Sequence, residues 1–269
     1  MPQKRLASND GTTSEERFEI RSLALNLPSG HVVHSHSHDW HQLIYASRGV
    51  MTVNTTSGSW VVPSQRAVWV PAGVEHEIEM TGVVWMRTLY VRPKLTDSLP
   101  GHCHVIDVSP LLRELILHTI DIGMLDRDIA SQRRLIEVIM DQLSSVAAVP
   151  LKLSMPSDAR ALRIAELLRA SPGDTTSLAH LSRQSGASKR TIERLFQSET
   201  EMSFGKWRQQ LRLLHALRLL ALGESVTAAA LEVGYDSTSA FISAFKTVLG
   251  TTPGRYYSDS QVRARAKQS

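Results

Sequence analysis

The chain of 269 residues contains a single cysteine, Cys103, which excludes an internal disulfide and suits a reducing compartment. It has no uninterrupted apolar run approaching the ~20 residues of a membrane span. Where a secretory signal would carry an apolar stretch, the amino terminus has Lys4, Arg5 and then polar residues through Arg17. These absences predict a cytoplasmic protein with no membrane partner. Hydrophobic residues make up 42% of the chain, a globular content, and the length allows two domains of ordinary size.

Charge is unevenly placed. From Ser157 onward there are 16 Lys and Arg against 10 Asp and Glu, whereas the residues before it carry 14 against 16. The basic part also carries a repeat. Leu178, Leu181, Ser182, Gly186, Ser188, Ile192 and Phe196 recur as Val226, Ala229, Ala230, Gly234, Asp236, Phe241 and Phe245, offset by 48 residues at the glycines and 49 at the last Phe. Each copy reads as a helix-turn-helix. Apolar residues three and four apart bury one face of a short helix, a small residue admits a crossing helix, and the glycine leaves the first helix with positive φ. In the first copy Ser188 caps the second helix, whose Ile192, Leu195 and Phe196 face inward, so Arg190, Glu193 and Arg194 point outward. An outward Arg there can fork onto guanine in the major groove.

The amino-terminal part is patterned differently. Residues 1–17 are polar and predicted to be disordered. From His31 to Val91, short stretches rich in Val, Ile, Tyr and Trp alternate with turn signals at Gly49, Thr56–Gly58, Pro63–Gln65, Pro71–Gly73 and Thr81–Gly82, which predicts a small β-barrel or sandwich. Two helices follow, one opening at Ser109–Pro110 and one from about Asp126 to Val146. In the second, Ile129, Ile136, Ile139, Leu143 and Val146 form one stripe, either core against the barrel or a seam between subunits. Ala147 to Pro156, with two prolines, reads as a linker. His102 and His104 flank Cys103, but alternating residues at a strand end do not all converge on a metal.

Within the strand region, Gly30, His36, His38, Gln42 and Gly49 are followed by Pro71-Ala72-Gly73-Val74-Glu75-His76. In a strand, His36 and His38 share a face, so both can enter a barrel and meet groups from neighbouring strands. Imidazoles with an oxygen ligand suit zinc, nickel, iron or manganese. The spacing is similar to the two motifs of the cupin superfamily, with Gln42 where those metal sites use Glu. His36, His38, Gln42 and His76 therefore form either a divalent-metal site or a metal-free pocket that hydrogen-bonds a ligand.

Together these residues resemble the AraC/XylS family of bacterial transcription regulators. The match runs from about Asp158 to Tyr257, including a long helix near Phe204 to Leu222 and the run VGYDSTSAFISAFKTVLGTTPGRYY from Val233. The resemblance implies an α+β two-domain chain. A cupin-like effector-binding barrel (18–107) precedes a helical dimerisation region (108–148), a linker (149–156), an all-α domain with two helix-turn-helix units (157–257) and a basic tail (258–269).

It also implies a set of DNA contacts: Ser188, Lys189, Arg190, Glu193 and Arg194 in the first unit, and Ser237, Thr238, Ser239, Ser243 and Lys246 in the second. Small hydroxyl residues stand in the second unit where many members have Arg or Gln, so its role shifts toward phosphate contact and orientation. The long helix, with Trp207, Leu211, Leu214, Leu217 and Leu220 as core, would hold the two recognition helices about one DNA turn apart, roughly 34 Å.

The implied protein is a homodimer that binds double-stranded promoter DNA and a small-molecule effector, and meets RNA polymerase if it activates. Some members with similar sensor domains control efflux pumps for small toxic compounds. The alternative is a metal-dependent cupin enzyme carrying a DNA-binding tail, for which the sequence offers no evident acid, base or nucleophile beyond the histidines. An architectural DNA binder without effector would leave those histidines unexplained.

Overall fold

In a computed structural model of the chain, residues 17–96, 99–146, 148–149 and 151–256 are described. The segments expected to be disordered at the start and basic at the end lie outside them, Arg17 excepted. Ten strands pair antiparallel throughout: β1 (Phe18–Leu27), β2 (Val32–His36), β3 (His41–Thr55), β4 (Gly58–Pro63), β5 (Arg66–Val70), β6 (His76–Val91), β7 (His104–Asp107), β8 (Met124–Asp126), β9 (Ala148–Val149) and β10 (Lys152–Leu153). The main path runs β8-β1-β6-β3-β5-β7-β9, with β2 on β6 and β4 bridging β3 and β10.

β3 and β6 are the spine. They pair from His41↔Val91 to Thr55↔His76, slipping register on either side of Arg48. Gly49 and the Thr81–Gly82 pair, expected as turns, lie inside these strands and serve the bulges instead. Gly49 has φ +83°, and a Cβ there would fall 2.5 Å from the Val83 carbonyl oxygen. Three further departures from expectation concern the edges. β1 is a full strand within the expected barrel (18–107), ahead of His31, where the strand pattern was expected to begin. β8, β9 and β10 bring residues past 107 into the sheet. The expected linker contributes β10 and the fully buried Leu151, so it is part of the fold.

Alternation sets the two faces. Ile20, Leu43, Tyr45, Leu89 and Val91 face outward and are covered by α1 (Pro110–Ile122) and α2 (Ala130–Ser145), through Leu112, Ile116, Ile136, Ile139 and Leu143. The stripe on α2 is therefore core against the sheet, and Ile129, just before the helix, is exposed. The opposite face, with Ile44, Val53, Val68 and Ile78, lines the barrel.

Six helices follow: α3 (Ala159–Ala170), α4 (Leu178–Gln184), α5 (Lys189–Thr200), α6 (Phe204–Ala221), α7 (Val226–Glu232) and α8 (Thr238–Leu249). Ser177, Ser188, Ser203, Ser225 and Ser237 cap α4 to α8, each hydroxyl accepting from a backbone N–H in the first turn. α4–α5 and α7–α8 are the two expected units, and α6 joins them with Trp207, Leu211, Leu214 and Leu217 buried.

The helical part docks on the barrel. One buried cluster continues from Val61 and Leu153 into Leu211 and Leu214, where two separate cores were expected. Arg218 of α6 donates from Nε and Nη2 to the Thr52 hydroxyl at 3.2 and 3.1 Å, the Trp207 indole donates to the Ser154 carbonyl at 2.7 Å, and the Tyr256 hydroxyl donates to the Ser64 carbonyl at 3.5 Å.

The second unit also abuts the loop between α3 and α4. Gly234 has φ +77°, and a Cβ there would lie 2.5 Å from the Gly173 carbonyl oxygen, whereas Gly186, at φ +76°, faces open space. Gly186→Ala should therefore cost only the left-handed backbone, about 1–2 kcal/mol. Gly234→Ala adds a backbone collision, so urea unfolding should show it as clearly the more destabilised of the two.

Candidate functional sites

The barrel mouth gathers the predicted cluster. Across the sheet, Arg21 of β1 pairs with Tyr90 of β6, which pairs with Gln42 of β3, so the three stand in one row on the lining face. The next row is Leu23, Thr88 and Ile44. His36 on β2 stands opposite His76 on β6, and His38 follows in the loop after β2.

The three imidazoles lie together, their ring centroids 4.4 Å (His36 to His76), 5.2 Å (His38 to His76) and 6.0 Å (His36 to His38) apart. Each offers a ring nitrogen within 4.8 Å of the others. Gln42, almost fully buried, places Oε1 at 3.0 Å from Nε2 of His38 and 3.0 Å from Nε2 of His76, while its Nε2 donates to the Thr88 hydroxyl at 2.9 Å. All four predicted residues are thus brought together. Three imidazoles and an amide oxygen are a donor set that fits a divalent first-row metal.

Burial pushes the His76 pKa down to about 4, with the nearby His36 and His38 adding to the shift against the hydrogen bond to the Val74 carbonyl. His76 is consequently neutral at physiological pH. Burial likewise raises the Tyr90 hydroxyl, which stays protonated. His41, adjacent in sequence, turns to the other face, where its Nδ1 accepts from the Ala72 N–H at 2.8 Å and its ring packs on Trp69. At the far edge of the sheet, His104 Nδ1 bonds the His102 carbonyl at 3.0 Å, and burial pushes the Cys103 thiol up to about 11.

Sequence reading missed the rest of the mouth. Arg21 and Arg92 place their guanidinium carbons 4.6 and 4.7 Å from the Trp40 ring centroid, a double cation–π contact. Leu23, on the lining face, is 40% exposed, so the wall between β1 and β2 presents apolar surface to an entering molecule. The signal was present in the alternation of β1, once β1 is taken as a strand.

The second site lies on the helices. Ser188, Lys189, Arg190, Glu193 and Arg194 are all exposed at the start of α5. Arg190, Glu193 and Arg194 line a shallow depression with Ser188 and Thr191. The Ser188 hydroxyl is engaged as a cap, accepting from the Thr191 N–H at 3.1 Å. Lys189 and Glu193 form an exposed pair at 3.7 Å, worth about 0–1 kcal/mol and easily exchanged for another partner. On α8, Ser239, Ser243 and Lys246 are exposed, Ser237 caps the helix, and Thr238 is half-buried with its hydroxyl 3.4 Å from that of Thr227.

A family model described as an AraC-like ligand binding domain matches residues 26–155, and one described as a helix-turn-helix domain matches residues 181–258. The HTH-type transcriptional regulator NimR of Escherichia coli is 38% identical over 221 residues, covering 82% of this chain and 81% of its own. The HTH-type transcriptional regulator RipA of Corynebacterium glutamicum is 35% identical over 102 residues, covering 38% of this chain and 31% of its own. Among solved structures, ToxT of Vibrio cholerae with a bound unsaturated fatty acid aligns over 89% of this chain and 94% of its own, at 14% identity and a TM-score of 0.37. No helix among the described residues is long and apolar enough to cross a membrane. The chain thus belongs to the AraC family of transcriptional regulators, joining an AraC-like ligand-binding domain to a DNA-binding domain of two helix-turn-helix units.

Proposed function

We propose that the protein is a cytoplasmic, non-enzymatic regulator that binds a promoter sequence-specifically and responds to a small effector held in the barrel mouth. The observation that carries the DNA half is the pair of capped second helices, α5 and α8, each with an exposed polar face, α5 packed on α6 and α8 held to it through α7. Arg190 and Arg194 stand one helical turn apart and are the base-reading residues, with Glu193 beside them. On α8, Ser239, Ser243 and Lys246 contact phosphate and fix orientation. Anchoring both units on α6 and on the Gly173–Gly234 contact presents them as one rigid reader.

For the effector half, the support is a lining face that combines the polar cluster with exposed Leu23. That is the mixture of apolar wall and a few convergent polar groups expected of a ligand pocket. The effector acts by favouring one arrangement of barrel and helices over another. The dimer forms through the helical layer, where Leu111 and Ile122 on α1 expose apolar surface 52% and 37% accessible, suited to a second copy. RNA polymerase is the further partner if the bound complex activates.

Arg194→Ala should cost about 1–3 kcal/mol at the cognate promoter and relax selectivity at one or two base pairs, read in a gel-shift series over substituted sites. Unchanged affinity and selectivity would remove α5 from base readout. Leu111→Glu with Ile122→Glu should convert a dimer to a monomer in sedimentation equilibrium. An unaltered mass would place the subunit contact elsewhere.

A further inference from the structure

The loop between α3 and α4, residues 171–176, borders both helix-turn-helix units. It runs straight into Ser177, the cap of α4 in the first unit. Midway it meets the second unit backbone to backbone: a Cβ on Gly173 would fall 2.2 Å from the Glu232 carbonyl oxygen, as one on Gly234 would fall 2.5 Å from the Gly173 carbonyl oxygen. Two arginines one turn apart on α6 hold the same loop. Arg208 donates from Nη1 to the Thr176 carbonyl at 2.8 Å and from Nη2 to the Asp174 carbonyl, while Arg212 donates from Nη2 to that Asp174 carbonyl at 3.0 Å and from Nε to the Pro172 carbonyl at 3.3 Å. The Asp174 carboxylate accepts from the Thr176 N–H at 2.5 Å and faces Arg208 at 3.7 Å, which closes the turn. Arg212 reaches the second unit as well, its guanidinium carbon 5.9 Å from the ring centroid of Tyr235, whose ring packs on Phe241 of α8 at 5.5 Å.

We infer that Arg208 and Arg212 are positioning residues that fix, through this loop, the separation and relative rotation of α5 and α8, and thereby the number of base pairs the protein accepts between its two groove contacts. This role rests on the reading of α5 and α8 as the helices that enter DNA. α6 alone is a rod joined to each unit by a short turn, at 201–203 and 222–225, and a turn can bend. A third support away from the rod closes a triangle, which changes shape only if bonds break. The support here is made of backbone carbonyls held by charged donors, each such bond stronger than a neutral one, and the Arg208 side chain is largely buried at 14% exposure. Lysine keeps the charge but lacks the rigid fork that spans two carbonyls. Inserting one base pair displaces the second groove by about 3.4 Å and turns it roughly 35°. Backbone packed against backbone at Gly173 and Gly234 does not yield that far.

The test uses the full-length protein and a site it selects itself from duplexes with a random stretch longer than two DNA turns. Methylation interference locates the two groove contacts of one chain, and the spacing between them is then lengthened or shortened by single base pairs. The wild type should lose more than about tenfold in affinity for one added pair. Arg212→Ala and Arg208→Ala should keep the base preferences within each contact, while the loss for one added pair falls below about threefold. Arg212→Lys should lie between them and the wild type. Circular dichroism checks the fold of each variant, and the lysine variant carries the test if the alanine variants misfold.

Affinity lost in parallel at every spacing would overturn the proposal and leave α5 and α8 standing as the readers, because residues that merely stabilise the domain lower binding without changing which spacing is preferred. Undiminished affinity with the wild-type spacing preference would also overturn it, placing the constraint in α6 alone. Interference at a single groove in the wild type would overturn it together with the reading of α8.

Discussion

The pairing of β3 with β6 is the constraint on which the rest of the molecule depends. Because successive residues on a strand point to opposite faces, fixing this one register decides three surfaces at once. Gln42, Thr88 and Tyr90 are sent into the barrel, and Leu43, Leu89 and Val91 are sent to α1 and α2. Beyond the bulges, Thr52 and Glu79 are opposite one another on the face that receives α6. A slip of one residue would exchange pocket for core. The bulges beside Arg48, and the glycine that one of them requires, keep both ends of the pair in place.

The docking of α6 shows how the DNA-binding part is held to the barrel by more than the chain that joins them. Arg218 sits largely buried, and burial pushes its pKa down against the pull of Glu79. Taking a guanidinium out of water is costly, so the paired bonds to the Thr52 hydroxyl chiefly offset that cost; a hydrogen bond to a charged group contributes about 1.5–3 kcal/mol. The net gain comes from the apolar surface of Leu211, Leu214, Val61 and Leu153. Beside this contact a cleft of about 570 Å³, lined by Asn54, Glu77, Glu79, Arg169 and Arg218, leaves part of the interface open to solvent. The contact between the two parts is thus partly polar and open to solvent, as contacts between domains of one chain commonly are.

Local patterning carried the helices and the histidines. The repeat around Gly186 and Gly234 and the Ser188 cap are signals a few residues long that lie where their spacing predicted, whereas α8 is capped by Ser237 and not by Asp236, and His38 reaches the cluster from the loop after β2 and not from a strand shared with His36. What stayed hidden depends on pairing between distant residues. Arg21 and Leu23 join the pocket only because β1 pairs with β6, across more than sixty residues of chain, and nothing near Arg21 records that register. Leu151 and Leu153 carried a weak signal, two leucines between prolines, but a short apolar segment reads equally as linker until β4 is known to need a partner. The core and seam readings of α2 were separated by the same kind of fact, the presence of Leu43 and Val91 on the sheet beneath it.

The placement of β6 gives the protein a distinctive genetics. His76 enters the pocket, and Glu79, three residues on, faces the helix that carries both reading units. A single strand therefore carries a residue of the proposed effector site and a residue of the face that receives α6 within one short segment. Selections for regulators that ignore their signal while still recognising their operator are expected to return changes at Thr52, Glu79, Gly82 and Arg218, well away from both the pocket and the DNA.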